Sequence, residues 1–338
     1  MLSDGAAART SAEGPGVGMA GHDLRLGTAE NYRRFAKETA GRSPAYERLS
    51  RHVAGSAAVL SFLETLPKPK RQPNLLFAAA RHLLGEPPEE ASLTDLVAAE
   101  PERLAAVMMA RSTQTNEPAR CATLLPALVG LPEPVALIEV GASAGLTLLV
   151  DRYSYDYGGR VVRGTDPLAP TLECQPIGPV PIPERVPEVS WRAGLDLHPL
   201  DVADPDDVAW LECLVWPDEP GRAERLEAAV ACARRDPPVV RRGDLLGDLP
   251  ALAGEAPRAA TLVVYHSAVL PYVSESRRRA FAEEVRRLGA VWLSNEGPGV
   301  VPGSPVPPES EGVFVLLRNG TELLAVVDDH GTWARWLA

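Results

Sequence analysis

From Leu24 to about Gly130 the apolar residues recur three and four positions apart. Tyr32, Phe35 and Ala36 open one stripe, and Val59, Leu60, Phe62, Leu63 and Leu66 form another that Pro67 ends. Leu75, Leu76, Ala79 and Leu83 follow at the same spacing, then shorter runs around Leu93 and over 104–109. This is the period of amphipathic helices, and it predicts an all-α N-terminal cap over residues 24–130. Residues 1–23 are rich in Gly, Ala and Ser with no apolar signal-peptide core, which predicts a disordered tail with Met19 as a second candidate start.

After Pro134 the pattern changes to short unbroken apolar runs separated by helical stretches, the grammar of a parallel sheet with crossover helices. The predicted strands are 135–140, 189–195, 239–242, 261–266 and 291–294. Two more, 313–317 and 323–327, flank Asn319-Gly320, a dipeptide that favours a tight hairpin turn. A helix is expected over 274–288 with Ser274 as N-cap and Phe281, Val285 and Leu288 on one face. A helical stretch is also expected after the first strand, over 146–150. The Pro- and Gly-rich residues 152–188 break the alternation and read as an inserted hairpin or lid. The whole is an α/β chain: an N-terminal helical cap, then a Rossmann-like, mostly parallel sheet over 131–338.

The first strand carries Glu139 and runs into Gly141-Ala142-Ser143-Ala144-Gly145. A strand, an acid and a glycine-rich turn make the corner of an α/β sheet that cradles a phosphate or nucleoside. The same letters spell Gly-x-Ser-x-Gly, the turn that presents a serine nucleophile in α/β-hydrolases. On that second reading Ser143 attacks, Asp244 or Asp248 orients, and His330 is the base. The absence of strands before residue 135 weighs against it, as does the lack of a His-Gly-Gly-type oxyanion loop. A nicotinamide-dinucleotide motif fails because its last glycine would fall at Leu146.

Ligands in open α/β sheets bind at the carboxyl ends of the strands. Asp196 ends the second strand, where a carboxylate can accept both hydroxyls of a ribose. Asp244 follows the third, placed to accept from an adenine amino group. His266 ends the fourth, and Asn295 and Glu296 follow the fifth. Asp166 competes with Asp196: it lies 25 residues past Gly141 against 55 for Asp196, but Gly164 and Pro167 give it the flanks of a turn. His266 reads equally as a general base or as a pocket-lining ring, and Tyr272 as a pocket residue. Asn116, Glu117 and Arg120 form a polar cluster just before the sheet, and Thr115 or Asn116 with Pro118 also reads as a helix start. Gln72 and Asn74 are weaker candidates of the same kind. Trp210 and Trp216 read as core.

Composition narrows the partners. A net charge of −11 over 338 residues argues against a nucleic-acid surface. The four cysteines show no Cys-x-x-Cys pair and no histidine at metal spacing, which predicts buried, reduced thiols and no metal site. No stretch approaches a membrane helix. The expectation is a cytoplasmic protein acting on a small molecule, with its oligomeric state left open.

At these residues the chain resembles class I S-adenosylmethionine-dependent methyltransferases, with Ser143 standing where their Asp/Glu-x-Gly-x-Gly-x-Gly motif has its middle glycine. More closely, the whole chain resembles an uncharacterised bacterial family, domain of unknown function family 2332. That likeness is carried by Gln72-Pro73-Asn74-Leu75-Leu76, Thr115-Asn116-Glu117, residues 139–146, 192–196 and 266–272, and Asn295-Glu296-Gly297-Pro298. The methyltransferase resemblance implies S-adenosylmethionine as cofactor. Glu139, Gly141, Ser143 and Gly145 would hold its methionine end, Asp196 and Leu197 the ribose side, and Asp244 and Leu245 the adenine. His266, Tyr272 and Glu296 would stand near the reacting centre, with Asn116, Glu117, Arg120 and Asn295 toward the substrate. Binding without catalysis, or lyase or cyclase use of the same ligand, are the alternatives.

Overall fold

The computed structural model describes residues 26–114, 116–308 and 312–337; the predicted tail 1–23 and Thr115 lie outside them. The N-terminal region is helical: α1 (Thr28–Thr39), α2 (Pro44–Gly55), α3 (Ala57–Glu64), α4 (Pro73–Leu84), α5 (Glu90–Ala99) and α6 (Pro101–Ala110). Local chemistry sets their ends. The Ser43 hydroxyl accepts from the Tyr46 amide ahead of Pro44, and Gly85 closes α4 in the left-handed conformation. Tyr32, Phe35, Leu63, Leu76 and Phe77 are fully buried between these helices.

A short α7 (Arg120–Leu124) and a 3-10 turn, Leu125–Leu128, lead into β1 (Val135–Val140). The expected helix after β1 is only a 3-10 turn, Leu146–Leu149. The chain then forms β2 (Ser154–Tyr157), β3 (Arg160–Val162), β4 (Thr171–Glu173) and β5 (Gln175–Ile177). So the crossover out of β1 is a small three-stranded sheet, β3-β2-β4, rather than a helix. The reason is local. Tyr153, Tyr155 and Tyr157 are buried, and their hydroxyls donate to the carbonyls of Leu146, Val150 and Ala122, which ties the segment down at once. The predicted hairpin is there, with Gly158 and Gly159 at its turn.

The remaining elements are β6 (Val189–Asp196), α8 (Pro205–Cys213), α9 (Arg222–Arg235), β7 (Val240–Arg242), α10 (Leu249–Ala253), β8 (Thr261–Ser267), α11 (Glu275–Arg287), β9 (Val291–Glu296), β10 (Phe314–Arg318), β11 (Glu322–Val327) and β12 (Trp333–Trp336). Ser274 occupies the N-cap position of α11 without a side-chain cap bond. Among the described residues the main sheet runs β5-β12-β11-β10-β9-β8-β1-β6-β7. Strands β7, β6, β1, β8 and β9 are mutually parallel, while β10, β11 and β12 close the sheet in antiparallel pairs.

Side chains alternate between two cores, as the strand period of two requires. Leu137, Val263, Tyr265 and Leu316 join the helical cap in one cluster; Ile138, Val264, Leu317, Phe281 and Trp292 form the other under α11. The cap therefore shares a continuous core with the sheet. All four cysteines are buried and unpaired by disulfides. No helix among the described residues is long and apolar enough to cross a membrane.

Candidate functional site

From β1 the chain goes to β6 on one side, and β8 lies on the other, so the end of β1 is the point where strand order reverses. The glycine loop stands there. Gly141 and Gly145 have positive φ, and so does Ser143 at 54°, a conformation that costs a non-glycine residue free energy and must be held by its surroundings. Here the Ser143 amide donates to Asp196 Oδ2 at 2.8 Å and its hydroxyl to the Gln114 carbonyl at 3.2 Å. A Cβ on Gly141 would overlap Val269 Cγ2, so the missing side chain admits the segment after β8 against the loop. Gly145 packs on Pro238 and Val240.

The structure separates the two acids. Asp196 is in contact with the glycine loop, and its Oδ1 also accepts from the His198 amide at 2.8 Å and from Gln114 Nε2 at 3.3 Å. Asp166 lies between β3 and β4 of the small sheet, outside the main sheet that carries the glycine loop, and pairs with Arg235. Leu197, next to Asp196, is 60% exposed, and Leu245 is half-buried beyond β7. Asp244 Oδ1 accepts from the Leu246 and Gly247 amides, and its other oxygen pairs with Arg277.

Glu139 faces the helical cap, buried, accepting from the Thr147 hydroxyl and from Tyr265 at 3.4 Å. Burial pushes its carboxyl up to about 8, against the pull of these two hydrogen bonds. It lines a cavity together with Arg120, Thr147, Tyr265, Ser267 and Asn295, with room for little more than water. Arg120 is brought to this cavity from α7. Its Nε donates to the Asp329 carbonyl at 2.8 Å and its guanidinium lies over Phe314. Burial lowers its pKa, opposed by Asp329 and Glu117. Asn295 donates to Ser267 Oγ at 3.1 Å, and its Oδ1 is buried without a hydrogen-bond partner.

His266 also borders this cavity, but its ring is turned toward the opposite face of the sheet. Alternation along β8 turns Tyr265 toward the cap and His266 toward α11, where it packs edge-on to Phe281 and at a tilt to Trp292. Indole N–H is only a donor, so the 3.0 Å contact from Trp292 Nε1 makes His266 Nε2 an acceptor and leaves the ring proton on Nδ1, facing Glu296 Oε1 at 2.6 Å. Both ring nitrogens are committed. The same Glu296 oxygen accepts from the Val269 and Leu270 amides at 2.9 and 3.1 Å, so the pair clamps the segment after β8, which turns through Ala268 at φ 61°. Tyr272 stands beside Thr113 and is an exposed residue.

Of the polar cluster before the sheet, Arg120 lines the cavity, while Asn116 and Glu117 are hydrogen-bonded to the chain itself. Asn116 accepts from the Leu146 amide at 2.8 Å rather than capping α7, whose N-cap is Ala119. Glu117 is buried between Arg222 at 2.8 Å and Arg225 at 2.7 Å. Burial alone would raise its pKa, but these two cations hold it below the usual carboxylate range. The network continues through Glu219 to His330 and Arg42. Burial opposes ionisation of Glu219 too, yet His330 and Arg222 bring it down to about 2. Gln72 accepts from Thr113, Asn74 accepts from Trp216, and Trp210 is fully buried. His330 meets Arg42 and Glu219, Asp244 and Asp248 accept from amides of the loop after β7, and the Ser143 hydroxyl donates to a carbonyl, so among the described residues these groups are not joined in a Ser-Asp-His triad. Sequence reasoning missed Gln114, Thr147 and Val269; Gln114 lies in the same polar run as Asn116, which was the available signal.

The model of a bacterial family described as "Uncharacterized protein conserved in bacteria (DUF2332)" matches residues 29–336, which takes in the cap, the glycine loop and the closing hairpin. The chain belongs to the DUF2332 family. Nothing matches it among curated proteins or among solved structures.

Proposed function

We propose that this chain binds S-adenosylmethionine across the carboxyl ends of β7, β6 and β1 and transfers its methyl group to a small molecule. One observation carries the reading: the glycine loop at the strand-order reversal is hydrogen-bonded to a carboxylate, Asp196, that ends the neighbouring strand. Asp196 would accept from the ribose, the exposed Leu197 would lie against the adenine, and Asp244 would receive its amino group. Glu139 and the Gly141–Gly145 turn would bound the methionine end, which requires the Val269 segment to give way. When bound, the ligand supplies an activated sulfonium methyl for in-line displacement, so the chain's task is to hold the acceptor in line and keep water out. With His266 and Glu296 bonded to each other, the favoured acceptor is one that needs no proton removed by them. That same pairing favours a second reading, ligand binding without turnover.

The test is thermal unfolding with and without S-adenosylhomocysteine. At a hundredfold excess over Kd, binding adds about 2.7 kcal/mol, a rise of a few degrees. A rise lost in Asp196→Ala supports the site, and no rise at millimolar ligand removes it. Release of methylthioadenosine from S-adenosylmethionine would identify lyase or cyclase chemistry instead.

A further inference from the structure

An ionised carboxylate offers about four lone-pair positions. Three of those on Asp196 are taken: Oδ1 by the His198 amide at 2.8 Å and Gln114 Nε2 at 3.3 Å, Oδ2 by the Ser143 amide at 2.8 Å. One remains, on Oδ2. A vicinal diol that binds a carboxylate with both hydroxyls, one on each oxygen, needs a second. The two backbone donors belong to the turns that build the strand ends and cannot leave without unmaking them. Gln114 makes the longest of the three contacts, through a side chain with another partner, since Nε2 also donates to the His198 carbonyl at 2.6 Å. Its backbone is held separately, by the Ser143 hydroxyl on its carbonyl at 3.2 Å. The side chain can therefore move while the main chain stays.

We propose that Gln114 is a specificity residue of this site: its carboxamide occupies the Asp196 position that the second hydroxyl of a vicinal diol requires, and a cis-diol nucleoside binds by displacing it. The inference rests on the nucleoside reading above and deepens it. A ligand with a single ribose hydroxyl uses the vacant position on Oδ2 and leaves Gln114 seated. The side chain thus taxes the diol ligand and not its deoxy counterpart.

The experiment measures Kd by calorimetry for S-adenosylhomocysteine and for its analogue lacking the ribose 2′-hydroxyl, on the full chain. Gln114→Ala should bind the diol roughly three- to tenfold more tightly, the worth of one ordinary hydrogen bond, as befits a contact of 3.3 Å. Its affinity for the deoxy analogue should stay within about twofold, since that ligand never displaces the carboxamide. In an Asp196→Asn background the gain should vanish. Gln114→Ser, which also withdraws the carboxamide, is measured alongside so that the result does not hang on one variant. Unchanged or weaker diol binding in both variants, or an equal gain for both ligands, overturns the inference while leaving the nucleoside reading standing. If no variant, wild type included, binds S-adenosylhomocysteine at millimolar concentration, both fall together.

Discussion

Replacing Glu139 by glutamine isolates the electrostatics of the buried acid beside the glycine loop. Burial moves this carboxyl from an ordinary 4.5 to about 8. A carboxyl raised in the folded state keeps its proton better folded than unfolded, so the stability it contributes is complete below the unfolded pKa. That stability is lost as pH rises toward the folded value. Across this window the slope is about 1.4 kcal/mol per pH unit. Between pH 4.5 and 7 the wild type should lose about 3 kcal/mol through this one group. Glutamine has nearly the same shape, can still bond Thr147 and Tyr265, and does not titrate. The stability of Glu139→Gln relative to wild type should therefore climb by about 3 kcal/mol over that range. With a urea m-value of about 3 kcal/mol per M for a chain of this size, the two midpoints should diverge by about 1 M. Urea unfolding at half-unit pH steps reads this directly. Curves that stay parallel to within about 0.5 kcal/mol would refute the reasoning, because Glu139 would then titrate as an ordinary carboxylate.

Glu117→Gln leaves Arg225 without its carboxylate and Arg222 with Glu219 alone, and should cost about 3 kcal/mol at pH 7 in urea unfolding. Because Glu117 is held low when folded, its contribution is present above the unfolded pKa, and the gap to wild type should close as pH falls below about 4. Gly141→Ala meets both a positive φ and Val269 Cγ2 and should lose about 2 kcal/mol by the same assay; adding Val269→Ala should recover the overpacking part and not the backbone strain. Ser143, with its hydroxyl on a carbonyl and no histidine partner, should remain unlabelled by a fluorophosphonate under conditions that label a serine hydrolase completely, as read by intact mass. His266→Gln should loosen the segment after β8, seen as faster amide exchange at Val269 and Leu270, with β1 still protected.

Most of the architecture was legible from periodicity. The strands at 135–140, 189–195 and 261–266 appear within a residue or two, because strands of a covered parallel sheet are predominantly apolar, as β1 with its six buried residues shows most clearly. The closing hairpin was legible from Asn319-Gly320, since that dipeptide accepts the φ values the turn needs. The inserted segment was visible as a break in the pattern. Its outcome was not, because the hydroxyls of Tyr153, Tyr155 and Tyr157 find carbonyls that sequence spacing cannot locate.

The site residues divide by the same logic. Sequence alone determined which acids end strands, and so nominated Asp196, Asp244 and Glu139. Tertiary structure decided which of them meet the glycine loop, choosing Asp196 over Asp166. It also decided the direction of His266, which alternation along β8 turns into the aromatic cluster under α11. Glu117 and Arg120, adjacent in one polar run, part company: the first is locked between arginines on α9, the second enters the cavity beneath the loop. Local chemistry and chain period fix which element a residue joins. Which face it shows, and which partner takes up its charge, depends on neighbours supplied from a hundred residues away.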